Sequence, residues 1–468
     1  MVDVFEAISR EGCEQALFCH DPQTGLRAII AIHDTTLGPS LGGVRMRPYP
    51  TEEEALADVL DLARAMTYKF AAAGIDLGGG KSVIIGDPAT AKSEDLLRAF
   101  GRFVRTLGGR YIPGIDVGTT QDDMRTIGLE AEPVSCVGVD PSPYTALGVY
   151  AAIRACIRHA TGSPDLEGAR IAIQGVGHVG EALARRSAEA GADLVLADVD
   201  GARAERLAKE LDATAVDADD IVTVACDVLA PCAVGGVIDE ETVARLGCRV
   251  VAGGANNVLA DPRVAETLRA RGIVYAPDYV ANAGGVILLD TERAGDPPER
   301  AADRCWELGD RMRHILERAD AEGISTLAAA NGLAEQRLGE GRSEASALEA
   351  QLVTRAQRVR RYYELVDAGR LEEMYALFHD DVVYRRPGYE PLEGIEALRG
   401  FYEGERVIRE GAHTVSSVAL DGERIAVEGE FGGVLHDGSR VTVRFADFFV
   451  FRGGRIARRD TYFDAPLV

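Results

Sequence analysis

Two lysines, Lys69 and Lys81, stand twelve positions apart in the small-residue stretch "MTYKFAAAGIDLGGGKS". The chain carries 51 basic residues, yet only Lys69, Lys81, Lys92 and Lys209 are lysines. A guanidinium stays protonated at any accessible pH, whereas an ammonium that is desolvated or set beside another cation gives up its proton. A pair of lysines beside glycines therefore suits a site in which one amine grips an acid and the other takes a proton from water. For either lysine alone, a surface position on a helix or loop is the plain alternative.

A second stretch with chemical potential is "QGVGHVG", in which Gly175, Gly177 and Gly180 have the GxGxxG spacing, with His178 and Val179 inside the turn. It follows the strand-like "RIAIQ", opens the helical "EALARRSAEAG", and precedes Asp198 at the end of "LVLAD". In that context the glycines bring backbone close to a pyrophosphate at a helix N-terminus. Asp198 would accept from ribose hydroxyls and repel a 2′-phosphate, which points to NAD rather than NADP. A nicotinamide needs a substrate carbon that gives or takes hydride. If that substrate is an amino acid, the lysines bind its carboxylate and activate water against an iminium. Asp116 in "GIDVGT" is then placed to take and return the amine proton; a strand-end Asp capping a turn is its other reading.

The elements that would position these groups follow from pattern. "TEEEALADVLDLARAMTYKFAAAG" has the cap, acidic first turn and apolar period of a helix, and delivers Lys69 near its end. "GLRAIIAIHDTTLGPSLGGVRMRPY", "SVIIGDP" and "GGRYIPGIDVGTT" read as strands ending in turns. From about Pro143 the helix "YTALGVYAAIRACIRHA" is followed by a β-then-α rhythm through "CDVLAPCA", "CRVVAGGANNVL" and "GIVYAPDYVANAGGVILLD", each read as a strand ending in a loop. That rhythm predicts a doubly wound parallel sheet, closed by a helix over roughly 301–321. The expected organisation is α/β: a substrate domain over 1–135, with 320–335 returning to it; a Rossmann domain over 136–319; a polar linker over 336–350, with a short helix there as the alternative; and an α+β module over 351–468.

Composition narrows the function classes. A formal charge of −24 argues against nucleic acid or an anionic membrane as the main partner. Eight cysteines (13, 19, 136, 156, 226, 232, 248 and 305) form no CxxC pair and no metal motif, and His379, His413 and His436 share no ligand spacing. The N-terminal stretch has no signal-peptide pattern and no segment reaches about 18 apolar residues, so a cytoplasmic protein with reduced thiols and no metal is expected.

Taken in order, "LGPSLGGVRM", "MTYKFAAAGIDLGGGKSVIIGDP", "DVGTT", "QGVGHVG", "CDVLAPCA", "AGGANN" and "YAPDYVANAGGV" make residues 10–335 resemble the leucine, phenylalanine, valine and glutamate dehydrogenase superfamily. The resemblance implies reversible NAD-dependent oxidative deamination of an L-amino acid to a 2-oxo acid and ammonia, by a homo-oligomer. It makes Lys69 the carboxylate-binding lysine, aided by the Gly42 and Gly43 backbone. Lys81 becomes the water-activating lysine and Asp116 the proton-transfer acid. Asn257, with Asn256 as competitor, matches the amide near the substrate amine and nicotinamide, and Thr145 matches the threonine beside the nicotinamide. Leu41, Gly114, Val286 and Leu289 fall at side-chain pocket positions. The Gly114 and Leu289 combination resembles the phenylalanine-type branch, and Ile115 stands where leucine-type members carry a glutamate. A large apolar or aromatic L-amino acid is expected, phenylalanine-like first and leucine or valine next.

The last hundred or so residues resemble the cone shared by ketosteroid isomerases and SnoaL-like cyclases, through "YYELVDAGRLEEMYALFHDDV", "GIEALRGFYEG" and "FADFFVFRGGRIARRDTYFD". Tyr362 falls at the tyrosine position and Asp447 at the oxyanion aspartate position, while Arg386 occupies the position of the base. A guanidinium cannot serve as that base. The cone is therefore read as an accessory or ligand-binding module, with processing of the oxo acid or imine as an alternative. A binding or assembly protein without turnover is the alternative for the whole chain.

Overall fold

The computed structural model describes residues 3–135, 138 and 140–465. The chain divides into two compact units, Met1–Gly341 and Arg342–Val468. Among the described residues no helix is long and apolar enough to cross a membrane. The seven described cysteines are free thiols; Cys136 lies outside the described residues.

The first unit opens on a five-stranded sheet of β1 (Gln15–Asp21), β2 (Leu26–Asp34), β3 (Ser40–Arg47), β4 (Gly78–Ile85) and β5 (Tyr111–Ile115), in the order β1-β2-β4-β3-β5. The helix Glu52–Ala73 packs on it. Thr51 caps that helix by accepting from the Glu54 N–H, three glutamates fill its first turn, and Gly74 ends it in the left-handed region at φ 72°. Ala55, Leu56, Val59, Leu60, Ala63, Thr67 and Phe70 recur every three or four residues and are buried, which fixes the helix's rotation and so the direction of Lys69.

The second sheet is wholly parallel and built of short strands. These are β6 (Arg170–Gln174), β7 (Asp193–Ala197), β8 (Thr214–Ala215), β9 (Val228–Pro231), β10 (Val250–Val251) and β11 (Val274–Tyr275), in the order β11-β10-β9-β6-β7-β8. The strand order reverses between β6 and β9, where an open α/β sheet leaves a crevice at its carboxyl edge. "GGANN" and the glycine turn both leave that edge.

Two expectations are corrected. The stretch after β11 is helical, with helices Asp278–Ala281 and Gly284–Ala294 in place of a continued strand and loop. Gly284 sits where a Cβ would lie 1.9 Å from the Tyr144 carbonyl, so close helix packing uses the glycine that sequence reading gave to a loop. Residues 336–350, expected as a linker with at most a short helix, form part of the long helix Thr326–Asp367. Side chains from Arg342 to Leu348 are exposed, so strong helix formers without Pro hold that stretch helical where no apolar stripe does. Earlier in the same helix Arg337 donates to the carbonyls of Phe70, Ala71 and Ile75 at 3.1–3.3 Å and pairs with Asp76. It thereby satisfies the free carbonyl end of the Lys69 helix. The closing helix runs Pro298–Glu322.

The second unit is a curled six-stranded sheet of β12 (Phe378–Arg385), β13 (Leu392–Glu393), β14 (Ile408–Asp421), β15 (Arg424–Leu435), β16 (Arg440–Arg452) and β17 (Arg455–Phe463), ordered β13-β12-β17-β16-β15-β14. Alternate residues of β15 and β16 are buried against Val359, Tyr362, Tyr363 and Val366 of the helix.

Candidate active site

Register places the chemistry. β3 runs parallel to β4 with Leu41 beside Gly79, and parallel to β5 with Leu41 beside Ile112 and Gly43 beside Gly114. Side chains alternate along a strand, so Leu41, Gly43, Lys81, Ile112 and Gly114 share one face. Asp116 follows directly beyond the end of β5. Its loop is pinned: the Asp116 N–H donates to Thr119 Oγ1 at 3.0 Å, and Thr119 Oγ1 donates to the Val44 carbonyl at 2.8 Å.

Lys81, 7% exposed, forms an ion pair with Asp116. Burial pushes the Lys81 ammonium down and Arg45 adds to this, against the pull of Asp116. Burial works to raise the Asp116 carboxyl, but Lys81 and Arg45 outweigh it and hold it below the usual carboxylate range. Arg45 Nε lies 3.4 Å from Asp116, and its Nη1 bonds Asp58 at 3.1 Å. Gly43 makes the space for this group: a Cβ there would come 2.7 Å from Asp116 Cβ and 3.2 Å from Lys81 Nζ.

Lys69 faces this group from its helix and is half-buried. Desolvation pushes its pKa down to about 8; the buried Asp278 partly offsets this and Lys81 reinforces it. Lys81 is thus close enough for its charge to act on Lys69. Lys69 Nζ lies 3.4 Å from Asn256 Oδ1, which also accepts from Asn282 Nδ2 at 2.8 Å. Of the two candidate amides, both exposed, Asn256 is the one at Lys69; Asn257 takes φ 52° in the turn. The Gly42 carbonyl accepts from Tyr111 at 2.8 Å.

Sequence reading missed Arg45, Asp278 and Asn282. Arg45 lies two residues past Gly43, so the strand period alone carried a signal for it. Asp278, whose Oδ2 accepts from the Val258 N–H at 2.7 Å, stood inside the quoted "YAPDYVANAGGV" with nothing in spacing to mark it.

Among the side-chain pocket candidates, Leu41 is buried and Val286 half-buried in one apolar cluster with Ile112, Leu147 and Met66. Gly114 is buried beside Gly43, and Leu289 is buried outside that cluster. Thr145 donates from Oγ1 to the Pro141 carbonyl at 3.1 Å, at the start of the helix Ser142–Thr161.

The cofactor candidates fit a dinucleotide. The helix His178–Glu189 begins at Gly177, where a Cβ would meet no protein atom, so its N-terminus is open to a phosphate. Gly175 turns at φ 89°, Gly180 packs against it, His178 is exposed and Val179 half-buried. Asp198 accepts from the N–H groups of Val176 and Asp200, both at 2.9 Å, which fixes its carboxylate at the end of β7. Gln174 and Asn282 each keep a buried side-chain oxygen without a protein partner, acceptors of the kind a carboxamide or hydroxyl satisfies.

In the cone, Asp447 is fully buried and bonded on every side. It pairs with Arg459 at 2.7 Å and accepts from Tyr363 at 2.5 Å and from Thr461. Tyr362 shares hydrogen bonds with Tyr402, at 2.5 Å, and with Arg459. Neither is a free acid or base. Arg386 is buried, with aromatic rings on its faces. His413, read from sequence as a surface or core residue, donates from backbone and ring to Asp367, at 2.8 and 2.5 Å.

Comparison with known proteins places both units. The family model described as Glu/Leu/Phe/Val dehydrogenase, dimerisation domain, matches residues 13–132; that of the Glutamate/Leucine/Phenylalanine/Valine dehydrogenases matches 140–206 and 196–359; and that of the SnoaL-like domain matches 359–459. The chain is 48% identical over 343 residues to the leucine dehydrogenase of Geobacillus stearothermophilus, covering 72% of this chain and 94% of that one. It is 47% identical over 340 residues to the valine dehydrogenase of Streptomyces virginiae, covering 71% and 95%. The crystal structure of L-tryptophan dehydrogenase from Nostoc punctiforme superposes with a TM-score of 0.67 at 42% identity, over 72% of this chain and 99% of that one.

Proposed function

The chain belongs to the Glu/Leu/Phe/Val dehydrogenase family, with a SnoaL-like domain at its C-terminal end, and from that premise we propose that this amino-acid dehydrogenase uses NAD to deaminate, reversibly, L-amino acids with a large apolar or aromatic side chain. The observation that carries the reading is the buried Lys81–Asp116 pair set against Lys69.

Lys69, protonated, grips the substrate carboxylate, whose charge favours the ammonium and opposes the desolvation that lowers it in the free protein. Asp116, held ionised by Lys81 and Arg45, accepts a proton from the substrate ammonium. A bound nicotinamide cofactor supplies the hydride acceptor. Lys81, once it has shed the proton that burial loosens, takes a proton from the water whose oxygen bonds to the resulting iminium carbon. Asp116 returns its proton to the nitrogen, and the C–N bond breaks as the new hydroxyl closes to a carbonyl, its proton passing to water while ammonia leaves. Asn256, held by Asn282, offers its oxygen to the substrate amine.

Apolar neighbours support the substrate class. Leu41, Val286, Ile112 and Met66 present no charge for an acidic side chain, and Gly114 leaves room for a ring. A phenylalanine-like substrate comes first and leucine or valine next; pocket changes of methylene size separate such substrates by only about 1–3 kcal/mol. Asp198 supports NAD, because its carboxylate repels a 2′-phosphate, although Arg203 lies 3.8 Å from it. The dimerisation-domain match, and Phe18 left 52% exposed on edge strand β1, support a homo-oligomer.

The test is reduced-cofactor formation on a panel of L-amino acids at alkaline pH, with NAD and with NADP, for the parent and for Lys81→Ala. We expect turnover with NAD, fastest on phenylalanine or leucine, and its loss in Lys81→Ala. A parent inactive on every amino acid would sink the reading.

A further inference from the structure

The cone holds a cavity between its helix and its sheet, lined by Tyr362, Arg386, Tyr402, Arg406, His413 and Arg459 among others. Among the described residues no Asp or Glu lines it, so the polar groups described at its wall are phenols, guanidiniums, a threonine hydroxyl and one imidazole. Two of the arginines invite comparison. Arg459 is 4% exposed and lies over the rings of Tyr362 and Tyr384, each at 4.6 Å. Its edge is paired with Asp447 at 2.7 Å. Arg386 is 9% exposed and is packed in the same way, 4.8 Å from the Phe401 ring, 5.1 Å from Tyr389 and 5.6 Å from Phe463. Its edge has no such partner. Among the described residues no carboxylate lies within ion-pair distance of Arg386, and its Nε, like that of Arg459, is buried without a hydrogen bond.

Aromatic faces satisfy a guanidinium above and below its plane but leave its N–H donors, which lie in the plane, unanswered. A buried cation of this kind is tolerated only where an anion comes to it. The planar fork of donors matches a carboxylate in two parallel hydrogen bonds. Arg406, on the same wall and also without an ion pair among the described residues, adds a second positive charge. The void is about 30 Å³, room for two or three water-sized centres at about 10–15 Å³ each. That is the size of a carboxylate group carrying at most a methyl.

We propose that the cone is a receptor for a small monocarboxylate, anchored on the Arg386 guanidinium in a cavity whose described lining carries no carboxylate. The geometry also argues against an isomerase-like role. Asp447, fully buried in the cone, is spent on Arg459, Tyr363 and Thr461 and is not among the residues lining the cavity. The proposal is independent of which amino acid the first unit oxidises.

The test uses the full chain in the Lys69→Gln background, which silences the carboxylate grip of the first unit, and titrates acetate by saturation-transfer NMR. Methyl acetate and inorganic phosphate are the comparison ligands. Acetate should bind; Arg386→Gln should weaken it at least tenfold without lowering the melting temperature, because an unpaired buried charge is removed; Arg386→Lys should weaken it less. Methyl acetate should not compete. Equal affinity in Arg386→Gln, equal binding of the ester, or phosphate binding tighter than acetate would overturn the proposal. Should Arg386→Gln fail to fold, the ester comparison and Arg386→Lys decide it: an ester that binds like the acid, or a lysine variant indistinguishable from the parent, overturns it.

Discussion

Gly43→Ala is the sharpest probe of the active site, because it adds one methyl group and removes no reacting atom. The new Cβ would lie 2.7 Å from both Asp116 Cβ and the Ile115 carbonyl, where ordinary contact begins at 3.4 Å. One of the two strands, or the Asp116 loop, must therefore give by about 0.7 Å. The loop is the softer side, since β3 is held in register between β4 and β5. A misplacement near 1 Å of a catalytic group is associated with about a 10²-fold loss of rate, equivalent to about 2.7 kcal/mol of barrier. Overpacking of this kind also destabilises a fold by about 1–3 kcal/mol. Steady-state kinetics should show kcat down about a hundredfold with the Michaelis constant for NAD unchanged, since the cofactor turn belongs to another sheet. A folded Gly43→Ala protein with kcat near the parent's would refute the placement of Lys81 and Asp116 as the reacting pair. Loss of cofactor affinity in step with kcat would instead mean general misfolding.

Two further predictions concern Lys69 and the helix that follows the first unit. Because Lys69 is pushed down to about 8, its grip on a carboxylate is complete below that pH and is lost as pH rises through it. The inhibition constant of unreactive 3-methylbutanoate should weaken by about tenfold per unit above that point; in Lys69→Arg it should stay flat from pH 7 to 10, and a parent profile without the inflection would contradict the role. Ending the chain after Gly341 should leave turnover within about threefold of the parent, as expected of a self-contained unit. Ending it after Glu335 also strips Arg337 from the Phe70, Ala71 and Ile75 carbonyls and should lower unfolding free energy by about 1.5–3 kcal/mol, read from thermal denaturation of the two truncations side by side.

Local chemistry carried the legible part of this protein. The capped, periodic Glu52–Ala73 helix, the glycine turn from Gly175 to Gly180 and Asp198 at a strand end are properties of short stretches, so spacing and residue type fixed them before any fold was known. Lys69, Lys81 and Asp116 stood out because lysine is scarce here and because Lys69 closes a helix running into a glycine turn, Lys81 follows three glycines and Asp116 ends a strand. What no stretch contained was pairing across the fold. Whether Asn256 or Asn257 meets Lys69 depends on the rotation of a turn relative to a helix 187 residues earlier. The influence of Asp278 on Lys69 arises only when two sheets face each other. The helical state of 336–350 was obscured because an exposed helix needs no apolar stripe. In the cone, sequence marked Arg386 and Asp447 as a displaced base and an oxyanion acid. Only tertiary structure decided that Asp447 is consumed by Arg459 while Arg386 is left without an anion, because a buried charge is defined by the partners that the fold brings to it.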